Sequence, residues 1–472
     1  MSSEPKKVDR RKFIYAGLGA VALIAIGAAA YVAMNPPVVT QTVTTSTTVP
    51  TTSVVTTTVP TTSVITTTVP TTTVITTTPP TTWPKPEVRG KWEIHNFWVG
   101  SEKFKHDFLI THVKECLPNI EIAEVLYPDG EKMVAGVMSA ILAGKPPSTF
   151  QSDAGYWLYT LLPYLVPIDD LVKEEGWDKA WFDGVKTLLT VPWGKIYPYP
   201  YNLEIRNVLW YNKSILDKFN IDPASFKKMD DFWQACETIK AGGVWPLVYS
   251  GNPAPWAIFP FHEGIVLSSD DKVIQSYYNR TLTAEEYKPI LQQYLKWIDY
   301  SHPESIGLRW DEAAAKVYKG EAAMYLCGSW ALGYYKNVGW TYGKELGTFM
   351  LPGAKFSASI NGWPIVKGCD EKVAREVLKA LSDRKFIVEA NVLTGNLSAF
   401  KDVDPTPYDD FNREMYKKMS TPGLNIYPGN PDSYTASLRI TLGEAIVSLI
   451  TTRNIDEAAK KIYEIRASLP TA

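Results

Sequence analysis

The chain has 472 residues, a formal net charge of −2, 45% hydrophobic and 12% aromatic residues, and four cysteines. Its first 86 residues hold 6 of the 48 Lys+Arg and 2 of the 50 Asp+Glu, which leaves 42 against 48, a net of −6, on the 386-residue remainder. That length suits two or three domains with cores of their own, and that balance argues against nucleic acid as a partner, which demands clustered positive charge.

Residues 13–34 carry no charge over 22 positions, preceded by Lys6, Lys7, Arg10, Arg11 and Lys12. As a helix the run spans about 33 Å, the thickness of a bilayer core, and the basic flank keeps the start cytoplasmic. Residues 1–34 therefore read as a single-pass anchor with everything beyond it extracellular. Arg10-Arg11-Lys12-Phe13 reads equally as a twin-arginine export signal or as an ordinary positive flank. Cleavage around the small residues 27–30 is the competing reading, but the length of the run and the stalk that follows favour retention. No cysteine precedes Cys116, so a lipid on an N-terminal cysteine is excluded.

Residues 35–87 form a Thr/Val/Pro-rich stalk with a ten-residue repeat and prolines at Pro50, Pro60, Pro70 and Pro80. Proline and threonine oppose helix, a proline in every repeat blocks a continuous strand ladder, and the segment has too few large apolar groups for a core. The composition is that of an O-glycosylated stalk, reaching on the order of 150 Å if extended. In the body, sequons at Asn212, Asn279 and Asn396 make this a candidate glycoprotein.

The body reads as strands alternating with helices. Residues 92–98 alternate like a strand, with Trp92, Ile94, Asn96 and Trp98 on one face; Ser101 suits a helix cap for a helix to about Cys116. A strand over 120–126, a helix over 131–143 stopped by Gly144 and Pro146, and a short strand over 149–151 follow. Helices are expected over 284–300, 310–319 and 371–381. Strand–helix–strand order implies an α/β layer with a parallel sheet.

Chemistry is conspicuously missing. Cys116, Cys236, Cys327 and Cys369 form no C-x-x-C, and the five histidines form no H-E-x-x-H, so no metal and no cofactor are expected; the thiols read equally as disulfides or as buried groups. There is no Gly-x-Ser-x-Gly elbow, and the adjacent acids Asp169-Asp170 and Asp409-Asp410 read as solvated loop or cap residues. The positive signal is tryptophan: sixteen, all between Trp83 and Trp363. Most such residues build cores. Several here stand beside Gly or Pro, as in Trp98-Val99-Gly100, Pro255-Trp256, Gly328-Ser329-Trp330 and Gly362-Trp363-Pro364, where a turn exposes an indole face. A sugar offers an apolar C–H face to an indole and hydroxyls to Asp, Glu, Asn and Gln.

Trp92-Glu93-Ile94, Trp98-Val99-Gly100-Ser101-Glu102, the run Leu142 through Gln151, Gly307-Leu308-Arg309-Trp310, Gly320-Glu321-Ala322-Ala323-Met324 and Gly328-Ser329-Trp330 resemble, in order and spacing over roughly residues 90–465, the extracellular solute-binding proteins of family 1 that serve ABC-type sugar importers, with a glucose- or maltose-type likeness. The resemblance implies an α/β, two-lobed fold with the ligand between the lobes. It puts lobe 1 at 88–204 plus 358–405 and lobe 2 at 205–357 plus 406–472, crossing near 201–207 and 357–363. It further implies a monomeric, non-enzymatic protein whose partners are a sugar and the transmembrane subunits of a permease, the ATPase acting indirectly. By resemblance, Trp98 and Glu102 lie in the first strand–helix loop, Gln151 and Asp153 follow the third strand, Glu204 sits at the hinge, Trp330 stacks from the second lobe, and Trp256 and Trp363 are further candidates. Asp153 departs from a His usual in glucose-binding relatives, and Ser329 from an Asp. A surface glycoside hydrolase, or the same fold carrying a non-sugar solute, is the alternative.

Overall fold

A computed structural model describes residues 87–470, together with a two-residue strand at Val38–Val39 against the edge of a sheet. The expected anchor at 13–34 and the rest of the stalk lie outside the described residues. Among the described residues no helix is long and apolar enough to cross a membrane.

The first α/β unit follows from its side-chain pattern. In β1 (Gly90–Asn96), Trp92, Ile94 and Asn96 are fully buried, as the alternation requires. Strand β1 leads through α1 (Lys103–Cys116) to β2 (Ile120–Leu126), which pairs with it in parallel, Gly90 opposite Ile120 and Asn96 opposite Leu126. Helix α2 (Gly130–Leu142) is capped by Asp129, whose carboxylate accepts from the Lys132 N–H at 2.8 Å, and β3 (Thr149–Phe150) adds in parallel to β1. Ser101 is not the expected cap. A 3-10 turn at Gly100–Glu102 starts the helix, and the Ser101 hydroxyl donates 2.7 Å to Asp311, 210 residues away.

The sheet is mixed rather than parallel. Its long members are β4 (Pro198–Ile205) and β9 (Ser357–Val366), antiparallel to each other from Pro198 opposite Pro364 to Ile205 opposite Ala358. Every residue of both is buried. Between them the chain builds a second sheet. After Ile205 only Arg206 and Asn207 intervene before β5 (Val208–Asn212), which pairs with β7 (Ala322–Cys327) and β8 (Leu346–Phe349), while β6 (Trp245–Val248) flanks β7. The order β8-β5-β7-β6 defines a second α/β body, and the return to the first runs from β8 to β9. Helices α3 (Met229–Ala241) and α5 (Trp310–Tyr318) cover this second sheet, and α4 (Ala284–Asp299) packs on the helical turn Pro260–Ile265. Helices α6 (Glu371–Leu381) and α7 (Arg384–Thr394) pack on α1, whereas α8 (Ala436–Thr452) packs on the 3-10 turn Ala254–Ala257 and α9 (Ile455–Ala467) on α4.

Of the cysteines, Cys236 and Cys327 are buried thiols, Cys369 is half-buried, and Cys116 rests its sulfur 3.5 Å from His112 Nε2. Two sequons are closed: Asn212 is buried and donates to the Val317 carbonyl, and Asn396 accepts from the Ser329 hydroxyl at 2.7 Å inside the core. Asn279 is exposed. A glycosylating host should therefore modify the folded body at Asn279 alone among the three, and peptide mapping that finds a glycan on Asn212 or Asn396 contradicts this packing. Trp363, 1% exposed and wedged between Trp98 and Tyr201, should cost about 3–5 kcal/mol on replacement by Ala, read from urea unfolding.

Candidate functional site

Both bodies contribute to one cleft of about 280 Å3. Trp98 reaches it from the loop after β1. Its backbone N–H donates 2.8 Å to Asn96 Oδ1, and the Asn96 amide contacts His106, which in turn meets Glu124 at 2.8 Å. This relay through α1 and β2 fixes the loop, with Lys105 above the Trp98 ring and paired to Glu102 at 2.6 Å. Gln151 and Asp153 line the floor. Asn361 of β9 joins them, accepting from Gln151 at 3.3 Å and donating to Asp153 at 2.9 Å.

The crossing supplies Glu204 and Arg206. The guanidinium donates to Glu204 at 3.1 Å and to Glu263 at 3.5 Å, and lies over the rings of Phe259 and Trp330, 4.5 and 4.8 Å from their centroids. Gly328 makes this possible: a Cβ there would fall 1.8 Å from the Trp330 ring, so only glycine lets the indole fold back over the strand end. Trp256 stands edge-on to Trp330 at 6.1 Å and is the half-buried indole of the three. Arg439, from α8, closes the far wall, pairing with Glu131 of α2 at 2.5 Å and donating to Asn430 at 2.9 Å; Asn430 in turn bonds Glu263.

Seven of the eight anticipated side chains thus meet in the cleft: Trp98, Glu102, Gln151, Asp153, Glu204, Trp256 and Trp330. Trp363 does not line it. Its ring meets Trp98 edge-to-face at 5.7 Å from behind and supports that indole. Trp330 lines the cleft but carries Arg206 over its ring. The sequence reading missed Glu131, Arg206, Asn361 and Arg439. Arg206 and Asn361 stand in or beside the anticipated crossings, a usable signal; Arg439 pairs across 308 residues, and no local pattern announces it.

Burial sets the electrostatics. It raises Asp153 to about 6 against the pull of Arg206 and Arg439, and Glu204 to about 7 against Arg206. Glu263 is also fully enclosed, which works against its charge, yet His262, Arg206 and the Asn430 N–H hold it down at about 2. Among the described residues no group of three His, Cys, Asp or Glu is arranged to hold a metal. The arrangement offers indole edges, hydrogen-bond acceptors and paired charges around a solute-sized void.

Two bodies joined by crossings with a polar, aromatic cleft between them define a two-lobed binding protein. The chain belongs to the family of bacterial extracellular solute-binding proteins, whose sequence model matches residues 124–385. An uncharacterized ABC transporter extracellular-binding protein of Pyrococcus horikoshii is 31% identical over 385 residues, covering 78% of this chain and 86% of the relative. A probable sugar-binding periplasmic protein of Mesorhizobium japonicum is 27% identical over 59% of this chain and 68% of its own length. In fold, a chitin oligosaccharide binding protein superposes with a TM-score of 0.68 at 19% identity, over 80% of this chain and 98% of the other. A maltose-bound T. maritima protein gives 0.63 at 18%, over 81% and 100%.

The raised acids bind protons more readily folded than unfolded, so their contribution to stability is present at low pH and is lost as pH rises through about 6 and 7. Glu263 acts in reverse, its contribution lost as pH falls below the ordinary carboxylate range toward 2. Unliganded protein should melt on the order of a few degrees higher at pH 5 than at pH 8 and weaken again below pH 4. Glu204→Gln should flatten the upper limb and leave the acid limb; an unchanged slope between pH 5 and 8 contradicts the assignment.

Proposed function

We propose that this protein is the extracellular sugar-binding component of an ABC importer, closing two lobes over a mono- or oligosaccharide and handing it to the transmembrane subunits of a permease while the ATPase acts from the cytosol. The observation that carries this reading is the convergence of indoles from both lobes, with hydrogen-bonding acids of the first, on a single cleft. The names of the M. japonicum relative and of the chitin oligosaccharide and maltose proteins point the same way. A void of about 280 Å3, small among ligand pockets, favours one or two sugar rings.

In this mechanism Trp98 and Trp256 take the apolar faces of the sugar. Gln151, Asp153, Asn361 and Glu204 take its hydroxyls, and a missing hydroxyl leaves a buried carboxylate without its partner. Trp330 acts mainly by holding Arg206. Lobe 1 comprises 88–204 with 358–405 and lobe 2 comprises 205–357 with 406–472; they rotate about the crossings at Arg206-Asn207 and ahead of β9. The ligand favours the closed state through contacts made only there. The protein acts as a non-catalytic monomer without a cofactor, anchored through the apolar run 13–34 and the Thr/Pro-rich segment that follows it.

Isothermal titration calorimetry of the protein against a panel of mono- and disaccharides tests the reading. One or more should bind stoichiometrically, and Trp256→Ala should weaken binding about 10-fold, equivalent to about 1–2 kcal/mol for a lost stacking face, with little change in melting temperature. Release of new reducing ends from an oligosaccharide, or binding that survives the replacement of both Trp98 and Trp256, overturns it.

A further inference from the structure

On the opposite side of the lobe junction lies a second cavity of about 440 Å3. The turn Asn430–Ser433 separates the two: Pro431 faces the cleft, and Asp432 and Ser433 face the rear. Gly155, at φ +63°, lies so close to this turn that a Cβ would sit 2.5 Å from the Asp432 carbonyl oxygen. The first lobe supplies Tyr156, Leu188 and Val191 to the rear wall, and the second supplies Tyr278, Arg280 and Arg466.

Its charge is unlike that of the cleft. There, Glu102, Glu131 and Glu204 each face a cation. Here, Arg280 and Arg466 have no carboxylate within ion-pair distance among the described residues. Arg280, held in left-handed backbone at φ +62°, donates to the carbonyls of Leu469 and Pro470 at 2.9 and 3.1 Å and to the Tyr156 hydroxyl. Arg466, 4% exposed, lies 3.9 Å from the Tyr277 ring centroid and donates to that residue's carbonyl, and its Nε has no acceptor among the described residues. Asp432 is the one acidic residue of the described lining, and burial, with Asp153 beside it, drives its carboxyl well above the usual range and so toward the neutral form. A buried guanidinium without a counter-charge is costly, and guanidinium forks match phosphate and carboxylate oxygens.

We propose that the rear cavity is a binding site for a small organic anion, its phosphoryl or carboxylate group held by Arg280 and Arg466 and its apolar part by the Tyr156 and Tyr278 rings with Leu188 and Val191. The site is separate from the sugar cleft and stands whether or not the cleft takes sugar.

The test is calorimetric and thermal titration of the full-length chain in detergent with phenyl phosphate and with inorganic phosphate, each matched for ionic strength with sodium chloride. Phenyl phosphate should bind saturably at one site and raise the melting temperature, at least 10-fold more tightly than inorganic phosphate. Arg280→Gln should weaken it at least 10-fold. Gln275→Glu, which places a negative charge on the exposed rim, should do the same without touching either arginine, and decides the matter if Arg280→Gln does not fold. The proposal is overturned by a response no greater than that to sodium chloride, or by one equal in wild type and Gln275→Glu.

Discussion

The site depends on one buried cation. Arg206 stands in the two-residue link between the sheets, shared between Glu204 and Glu263 and sandwiched by Phe259 and Trp330. A guanidinium withdrawn this far from water persists only if its partners are fixed, and its rigid, planar fork fixes them in return. It sets the orientation of Trp330 from the second lobe and of Glu204 from the first. Loss of either carboxylate leaves this enclosed positive charge with a single partner.

From Arg206 the polar contacts run without a break to the far wall. Glu263 accepts from Asn430, Asn430 accepts from Arg439, and Arg439 pairs with Glu131 at the start of α2. Helix α8, which carries Arg439, packs on the second lobe, whereas α2 belongs to the first. With Ser101 bonded to Asp311, the two halves therefore touch directly through polar groups on more than one side of the cleft. Such contacts belong to the approximated arrangement of the lobes, so they add to whatever a ligand contributes toward holding it. Satisfied networks of this kind also specify one arrangement against many near alternatives.

Part of this could be read before any coordinates. The alternation of Trp92, Ile94 and Asn96 and the helices expected over 284–300 and 371–381, which form as α4 and α6, lie in short windows where local chemistry and final structure agree. Strands β4 and β9 were out of reach as strands for a physical reason. Both are buried on both faces, so no period of two survives, and Pro198, Pro200 and Pro364 argue locally against them. Trp363 misled because Gly-Trp-Pro looks like the exposed turns that bear the cleft indoles; its position within β9 turns it inward. Ser101 offered a good cap but found a better acceptor in Asp311. Seven cleft residues came from the likeness of ordered motifs. Arg439 and Glu131 needed the tertiary fold, since their pairing is a property of two helices meeting and of nothing in either alone.

The brevity of the Arg206-Asn207 link has a further bearing. The link carries a buried charge of the cleft wall, and the Asn207 side chain is tied at 2.7 Å to the Lys355 carbonyl of the returning strand connection. A change at this joint therefore also disturbs the carboxylate and the indole that line the cleft beside it.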